Sequence, residues 1–191
     1  MSDQSVGVIG VGRLGSDVAF MLAEEDLCDL CLYDKDRRRA EYLASDLSDT
    51  SFDRVYRNRI SWVESLRDLT HCDVILVAAG ERLGSGDTPK ELFANNRAIA
   101  GEIADAFAGS STLFVVATEP VDLMTIELAD ALHLPPSRVM GVGGVVDSYR
   151  VRYTLGEALS VNTDYIRTHV IGPHSENAGV LWEYTSINGI P

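Results

Sequence analysis

The feature that most constrains this chain is its opening run, Val6-Gly7-Val8-Ile9-Gly10-Val11-Gly12-Arg13-Leu14-Gly15. Beyond it, a second apolar run, Leu30-Cys31-Leu32-Tyr33, ends at Asp34. Each part answers a requirement of holding a dinucleotide. Gly10 lets the chain turn sharply off a buried strand, and Gly12 lets main chain approach a pyrophosphate. Gly15 lets the following helix lie close to the sheet, with its N-terminal N–H groups facing the phosphates. Asp34 is then placed to accept hydrogen bonds from the adenosine ribose. Three glycines alone are weak evidence. Three glycines between a strand pattern and a helix pattern, with an acid at the expected distance, are specific.

The rest of the chain continues that alternation. Residues 5 to 10 read as a strand and Gly12 to about Glu25 as a helix. Leu30 to Tyr33 reads as a second strand, and residues 36 to 48 as a helix with Ala40, Leu43, Ala44 and Leu47 at helical spacing. Val74 to Ala79 is fully apolar and closed by Gly80, the pattern of a buried parallel strand. Thr88-Pro89-Lys90-Glu91 signals a helix start by hydroxyl cap, first-turn proline and a glutamate three residues on, and that helix runs to about Phe107. Leu113 to Ala117, a helix through Met124 to Leu132, and Arg138 to Met140 complete a doubly wound parallel sheet. After Gly144 the pattern changes to a helix from Asp147 to about Leu159, a strand from Ile166 to Ile171 and a strand-like segment from Val180 to Ile187. The expected division is a dinucleotide-binding Rossmann domain over 1–144, then 145–191 as the beginning of an α+β substrate domain.

Composition narrows the partners. A formal net charge of −13 disfavours nucleic acid and anionic membrane surfaces. No apolar run reaches membrane-spanning length, and no signal peptide precedes Gly7. Cys28, Cys31 and Cys72 lie in apolar surroundings and read as buried, reduced thiols of a cytoplasmic protein. No cluster has metal-ligand spacing. Lys35 and Lys90 are the only lysines, which with the acid excess suits either a salt-adapted cytoplasm or a GC-rich codon bias.

Several stretches together resemble the L-lactate/L-malate dehydrogenase family, over its N-terminal three-fifths. They are Gly10 to Gly15, Tyr33-Asp34, Ala44 to Ser48, Val77 to Gly80, Pro120-Val121-Asp122, Asp147 to Tyr153 and Gly172-Pro173-His174. The resemblance implies an NAD-dependent oxidoreductase that moves a hydride between nicotinamide and a 2-hydroxy or 2-oxo acid. It implies a homo-oligomer, dimer or tetramer. His174 matches the family's proton-transfer residue, a role suited to imidazole because its free pKa is about 6.5. Asp147 matches the aspartate that orients that ring, and it is also a candidate N-cap. Arg150, three residues on and so on the same helix face, matches the arginine that grips the substrate carboxylate in a bidentate fork. Arg13, Leu14, Gly80 and Asn96 join Gly10, Gly12, Gly15 and Asp34 as coenzyme contacts.

Three positions depart from the family. Pro89 stands where a mobile loop carries a ketone-polarising arginine, with Lys90 beside it as a substitute. Leu83 stands at the position that separates malate from lactate and favours an apolar substrate side chain, although neighbouring Arg82 could swing inward for malate. Glu119 stands where asparagine precedes Pro-Val-Asp and contacts the nicotinamide ribose and substrate. The arginines Arg37 to Arg39 suggest a 2′-phosphate, but Asp34 would repel one, so NAD is expected over NADP. Pro89 and Glu119 motivate an alternative: an NAD-binding paralogue that has lost catalysis and acts as a sensor or assembly partner.

Overall fold

The structure, a computed structural model, describes residues 4–49, 58–81, 84 and 88–190. It divides into two compact units, Met1–Met140 and Gly141–Pro191.

In the first unit β1 (Ser5–Ile9), β2 (Asp29–Tyr33), β3 (Ile60–Trp62), β4 (Val74–Val77), β5 (Leu113–Val116) and β6 (Val139–Gly141) form one six-stranded sheet in the order β3-β2-β1-β4-β5-β6. The pairings from β3 across to β5 are parallel, with Gly7 opposite Cys31 on one side and Ile75 on the other. Parallel strands need crossovers, and these are α1 (Arg13–Glu25), α2 (Arg37–Asp49), α3 (Pro89–Ala106) and α4 (Val121–Leu132). α1 and α2 bury Ala19, Ala40, Ala44 and Leu47 against Val8, Leu32 and Leu76. Small alanines at the helix contacts bring these helices close to the sheet. Phe107, just past α3, meets Phe114 of β5 edge-on with ring centroids 5.2 Å apart. Both rings are buried, and burial of one such side chain stabilises by roughly 1.5–3 kcal/mol.

The helix starts follow local chemistry. At α3 the Thr88 hydroxyl accepts from the Glu91 N–H at 3.3 Å, and the Glu91 carboxylate accepts from the Thr88 N–H at 2.7 Å. Pro89 takes the first helical position, where no N–H is needed. The short strand β3 and the 3-10 turn Leu66–Leu69 carry too few residues for a periodic signal, and the sequence reading had no element there.

The second unit holds α5 (Gly143–Leu159) and four two-residue strands, β7 (Ile166–Arg167), β8 (Val170–Ile171), β9 (Gly179–Val180) and β10 (Ser186–Ile187). β7 pairs antiparallel with β10, and β8 with β9. Two expectations are corrected here. The strand expected over Ile166–Ile171 is interrupted at Thr168 and His169, because its halves pair with different partners. The strand expected over Val180–Ile187 contains a 3-10 turn at Trp182–Tyr184. α5 also begins at Gly143, four residues before Asp147. Asp147 is therefore inside the helix, and the N-cap reading for it is withdrawn.

Candidate functional site

β1 and β4 are the neighbours from which the connections run to opposite sides of the sheet, so the strand order reverses between them. In open α/β sheets a crevice forms at the carboxyl ends of such a pair. Gly10 sits there with φ +91, and a Cβ on it would overlap the main chain of Ala79 just beyond β4. A Cβ on Gly15 would overlap the Gly10 carbonyl oxygen, so only glycine lets α1 start this close to the turn. Gly12 differs: nothing lies within 4 Å of its would-be Cβ. The space over Gly12 is open to a ligand, and α1 starts there with no side-chain cap and no acid in its first turn. Its leading N–H groups and the positive end of its dipole are available to an anion.

Two cavities flank Gly12. One, of about 240 Å³, is lined by Gly10, Gly12, Tyr33, Asp34, Ala79, Gly80, Ile99 and Glu102 among others. The second, of about 340 Å³, is lined by Gly12, Arg13, Leu14, Gly80, Leu92, Thr118 and Glu119 among others. The coenzyme candidates Gly10, Gly12, Arg13, Leu14, Asp34 and Gly80 thus line one cleft or both, with Gly15 closing the turn beneath.

Asp34 does more than face the cleft. One carboxylate oxygen accepts from the Val11 N–H at 2.9 Å and the other from the Asp36 N–H at 2.9 Å. The acid at the end of β2 therefore clamps the glycine turn after β1, a contact no spacing argument revealed. The Tyr33 phenol beside it is pushed above its ordinary pKa by burial, then by the charges of Glu102 and Asp34.

Asn96 departs from the expected direct contact. It is fully buried, its Oδ1 accepts from the Glu81 N–H at 2.8 Å, and its Nδ2 donates to the Glu119 carbonyl at 2.8 Å. It ties the chain after β4 to the chain after β5 and acts on the cleft through their main chain. Glu119 is exposed at the rim of the second cavity, and its side chain accepts from the Val121 N–H at 3.1 Å. Lys90 is exposed in the first turn of α3. Arg82 and Leu83 lie outside the described residues.

In the second unit, His174 follows Gly172, whose φ is +96, and Pro173. Its Nδ1 lies 2.7 Å from Oδ2 of Asp147, with both side chains largely buried at 20% and 17% exposure. Oδ1 of Asp147 accepts from an Nη of Arg150 at 3.2 Å. Arg150 is 67% exposed, so its remaining donors face solvent. The next residue on α5 serves as a strut: the Ser148 hydroxyl accepts from the Val170 N–H at 2.9 Å and donates to the Gly144 carbonyl at 2.6 Å. That bond fixes β8, and with it the start of the loop that carries His174, against the helix that carries Asp147. Ser148 lies within the matching run Asp147 to Tyr153, where the sequence assigns it no role.

The parallel sheet with a glycine-lined cleft at its reversal defines a dinucleotide-binding α/β protein of the Rossmann class. The family model described as lactate/malate dehydrogenase, NAD binding domain, matches residues 4–141, and the chain belongs to that family. The chain is 31% identical to the L-lactate dehydrogenase of Shouchella clausii, over 97% of this chain and 58% of that relative. Malate dehydrogenase from Plasmodium falciparum superposes with a TM-score of 0.92 at 26% identity, over 98% of this chain and 61% of that one. Lactate dehydrogenase from Eimeria maxima, solved with NADH and oxamate, superposes with a TM-score of 0.83 at 26% identity, over 98% of this chain and 58% of that one. The chain therefore spans about three-fifths of the length of the relatives it matches.

Proposed function

We propose that the chain binds NAD(H) across the two cavities at the β1–β4 reversal and serves hydride transfer between nicotinamide and a 2-hydroxy or 2-oxo acid. The observation that carries this is the His174–Asp147 pair on a chain whose other unit has the dinucleotide cleft. Gly12 and the first N–H groups of α1 receive the pyrophosphate, and Asp34 accepts from the adenosine ribose while it holds the turn. Bound NAD supplies the hydride acceptor, and NADH the donor. His174 exchanges the substrate hydroxyl proton at Nε2, since Nδ1 is committed to Asp147. Asp147 fixes that tautomer and stabilises the imidazolium when it forms. Arg150 holds the substrate carboxylate with the donors that Asp147 leaves unused.

The substrate side chain is proposed to be apolar, from Leu83, with malate reachable through Arg82. The catalytically silent alternative loses ground because the proton-transfer pair is assembled at hydrogen-bonding distance. Assembly as a homo-oligomer fits the exposure of Tyr149, Tyr153, Trp182 and Tyr184, each above 60%. A cytoplasmic setting fits three free cysteines.

The test is spectrophotometric. NADH oxidation by this chain is followed with pyruvate, branched 2-oxo acids and oxaloacetate, and NAD(H) binding is measured calorimetrically. Turnover that vanishes in His174→Ala with NADH binding retained supports the reading. NADH binding with no turnover of any 2-oxo acid overturns its catalytic part, and absence of binding overturns it whole.

A further inference from the structure

The coenzyme cleft has a wall that neither the phosphate nor the ribose contacts use. Pyrophosphate at Gly12 and ribose at Asp34 set a direction through the first cavity, and the base comes next along it. The same cavity is also lined by Leu66, by Ile99, Ile103 and Glu102 of α3, and by Lys35 and Arg39. The aliphatic side chains suit the faces of a flat base, and a carboxylate among them suits one edge. Glu102 makes no hydrogen bond or ion pair among the described residues, and its charge is felt by the Tyr33 phenol across the same cavity. Asp34, by contrast, has both oxygens engaged by main-chain N–H groups.

An ionised carboxylate only accepts hydrogen bonds. The base edge that meets it must therefore present a donor. Adenine offers its exocyclic amine, whereas hypoxanthine and guanine turn a carbonyl oxygen to the same place. We propose that Glu102 reads the coenzyme base: it accepts from the adenine amine and rejects 6-oxopurine dinucleotides. The inference rests on the cleft being the dinucleotide site proposed above. Rejection is expected to exceed the gain from the bond itself, because a carbonyl set against an unpaired carboxylate leaves both without partners.

The experiment is calorimetric titration of the full chain with NAD, its hypoxanthine analogue and NADP, using the unaltered protein and Glu102→Gln. The Glu102 side chain is exposed on the helix, so the variant is expected to fold, and its melting temperature is the control. The unaltered chain should bind NAD about tenfold more tightly than the hypoxanthine analogue. In Glu102→Gln, whose amide can either accept or donate, that ratio should fall to roughly one or two. A ratio unchanged by the substitution overturns the inference while leaving the dinucleotide site standing. So does a variant that gains affinity for NADP with its base preference intact, which would make Glu102 a guard against the 2′-phosphate. Failure of the unaltered chain to bind NAD overturns the site itself, and this inference with it.

Discussion

Nδ1 of His174 and Oδ2 of Asp147 are 2.7 Å apart, joined across 27 residues of chain. The contact sets Nδ1 against the carboxylate, and under the proposed function Nε2 is the atom that exchanges the proton. Asp147→Asn keeps the shape but removes the charge that holds the ring, so kcat for 2-oxo-acid reduction should fall by about 10²–10⁴. An independent readout is nitrogen NMR of the histidine. The Nδ1-protonated tautomer should dominate in the parent chain near neutral pH and lose that dominance in the variant. An unchanged tautomer ratio would count against the orienting role.

Gly12 and Gly15 are three residues apart in one turn, yet their substitutions should part company. Gly15→Ala drives a methyl into the Gly10 carbonyl, so destabilisation of about 1–3 kcal/mol or more is expected in thermal unfolding. Gly12→Ala meets nothing in the protein and should melt with the parent. Its cost should fall on the ligand: NAD affinity should drop at least tenfold, since the methyl would fill the space proposed for the pyrophosphate. Equal NAD affinity in Gly12→Ala and the parent would remove the phosphate from this turn.

Asn96 holds two separate main-chain segments with one amide. Asn96→Ala should strand the Glu81 N–H and the Glu119 carbonyl, at about 2–4 kcal/mol of stability by chemical denaturation. NAD binding should weaken as well, because Glu81 and Gly80 line both cavities. A variant with parental stability would show that water replaces the amide without cost.

Acid should unfold this chain partly through two exposed carboxylates. Asp73 is held below its ordinary pKa by the Ser5 N–H at 2.8 Å and then the Ser5 hydroxyl at 2.9 Å. Glu91 is held below its own by the Thr88 N–H and then the Thr88 hydroxyl. Lowered folded values mean the unfolded chain binds protons first as pH falls. Their stabilisation is thus complete above the ordinary carboxylate range, about pH 4, and is lost as pH drops through the lowered values. Melting temperatures measured from pH 6 to pH 2.5 should fall less steeply in Asp73→Asn and Glu91→Gln than in the parent. Parallel curves would dismiss both contacts.

What could be read from residues alone follows from periodicity and stereochemistry. Gly10 and Gly15 stand out because each meets a demand that a Cβ would break, and Gly12 by its spacing between them. The Thr88 cap was legible because it is made within four consecutive residues. The apolar runs at Val74 to Val77 and Leu113 to Val116 were legible because strands buried on both faces need no alternation. β3, the break at Thr168 and His169, and the turn at Trp182–Tyr184 were not. They are short, and their conformations are set by which strand lies beside them.

The site divides along the same line. Spacing between a strand pattern and a helix pattern nominated the glycines and Asp34, whereas Asp147, Arg150 and His174 were nominated through the resemblance to the lactate/malate dehydrogenase family. Only the tertiary structure decided that Asp34 clamps the turn beside it, that Asn96 works from inside the core, that Ser148 braces the histidine loop, and that Glu102 lines the same cavity as Asp34. Those roles are set by distances between residues 15 to 60 or more positions apart in some cases, and by neighbours in others. A local pattern records what a side chain can do, whereas packing selects which partner it meets.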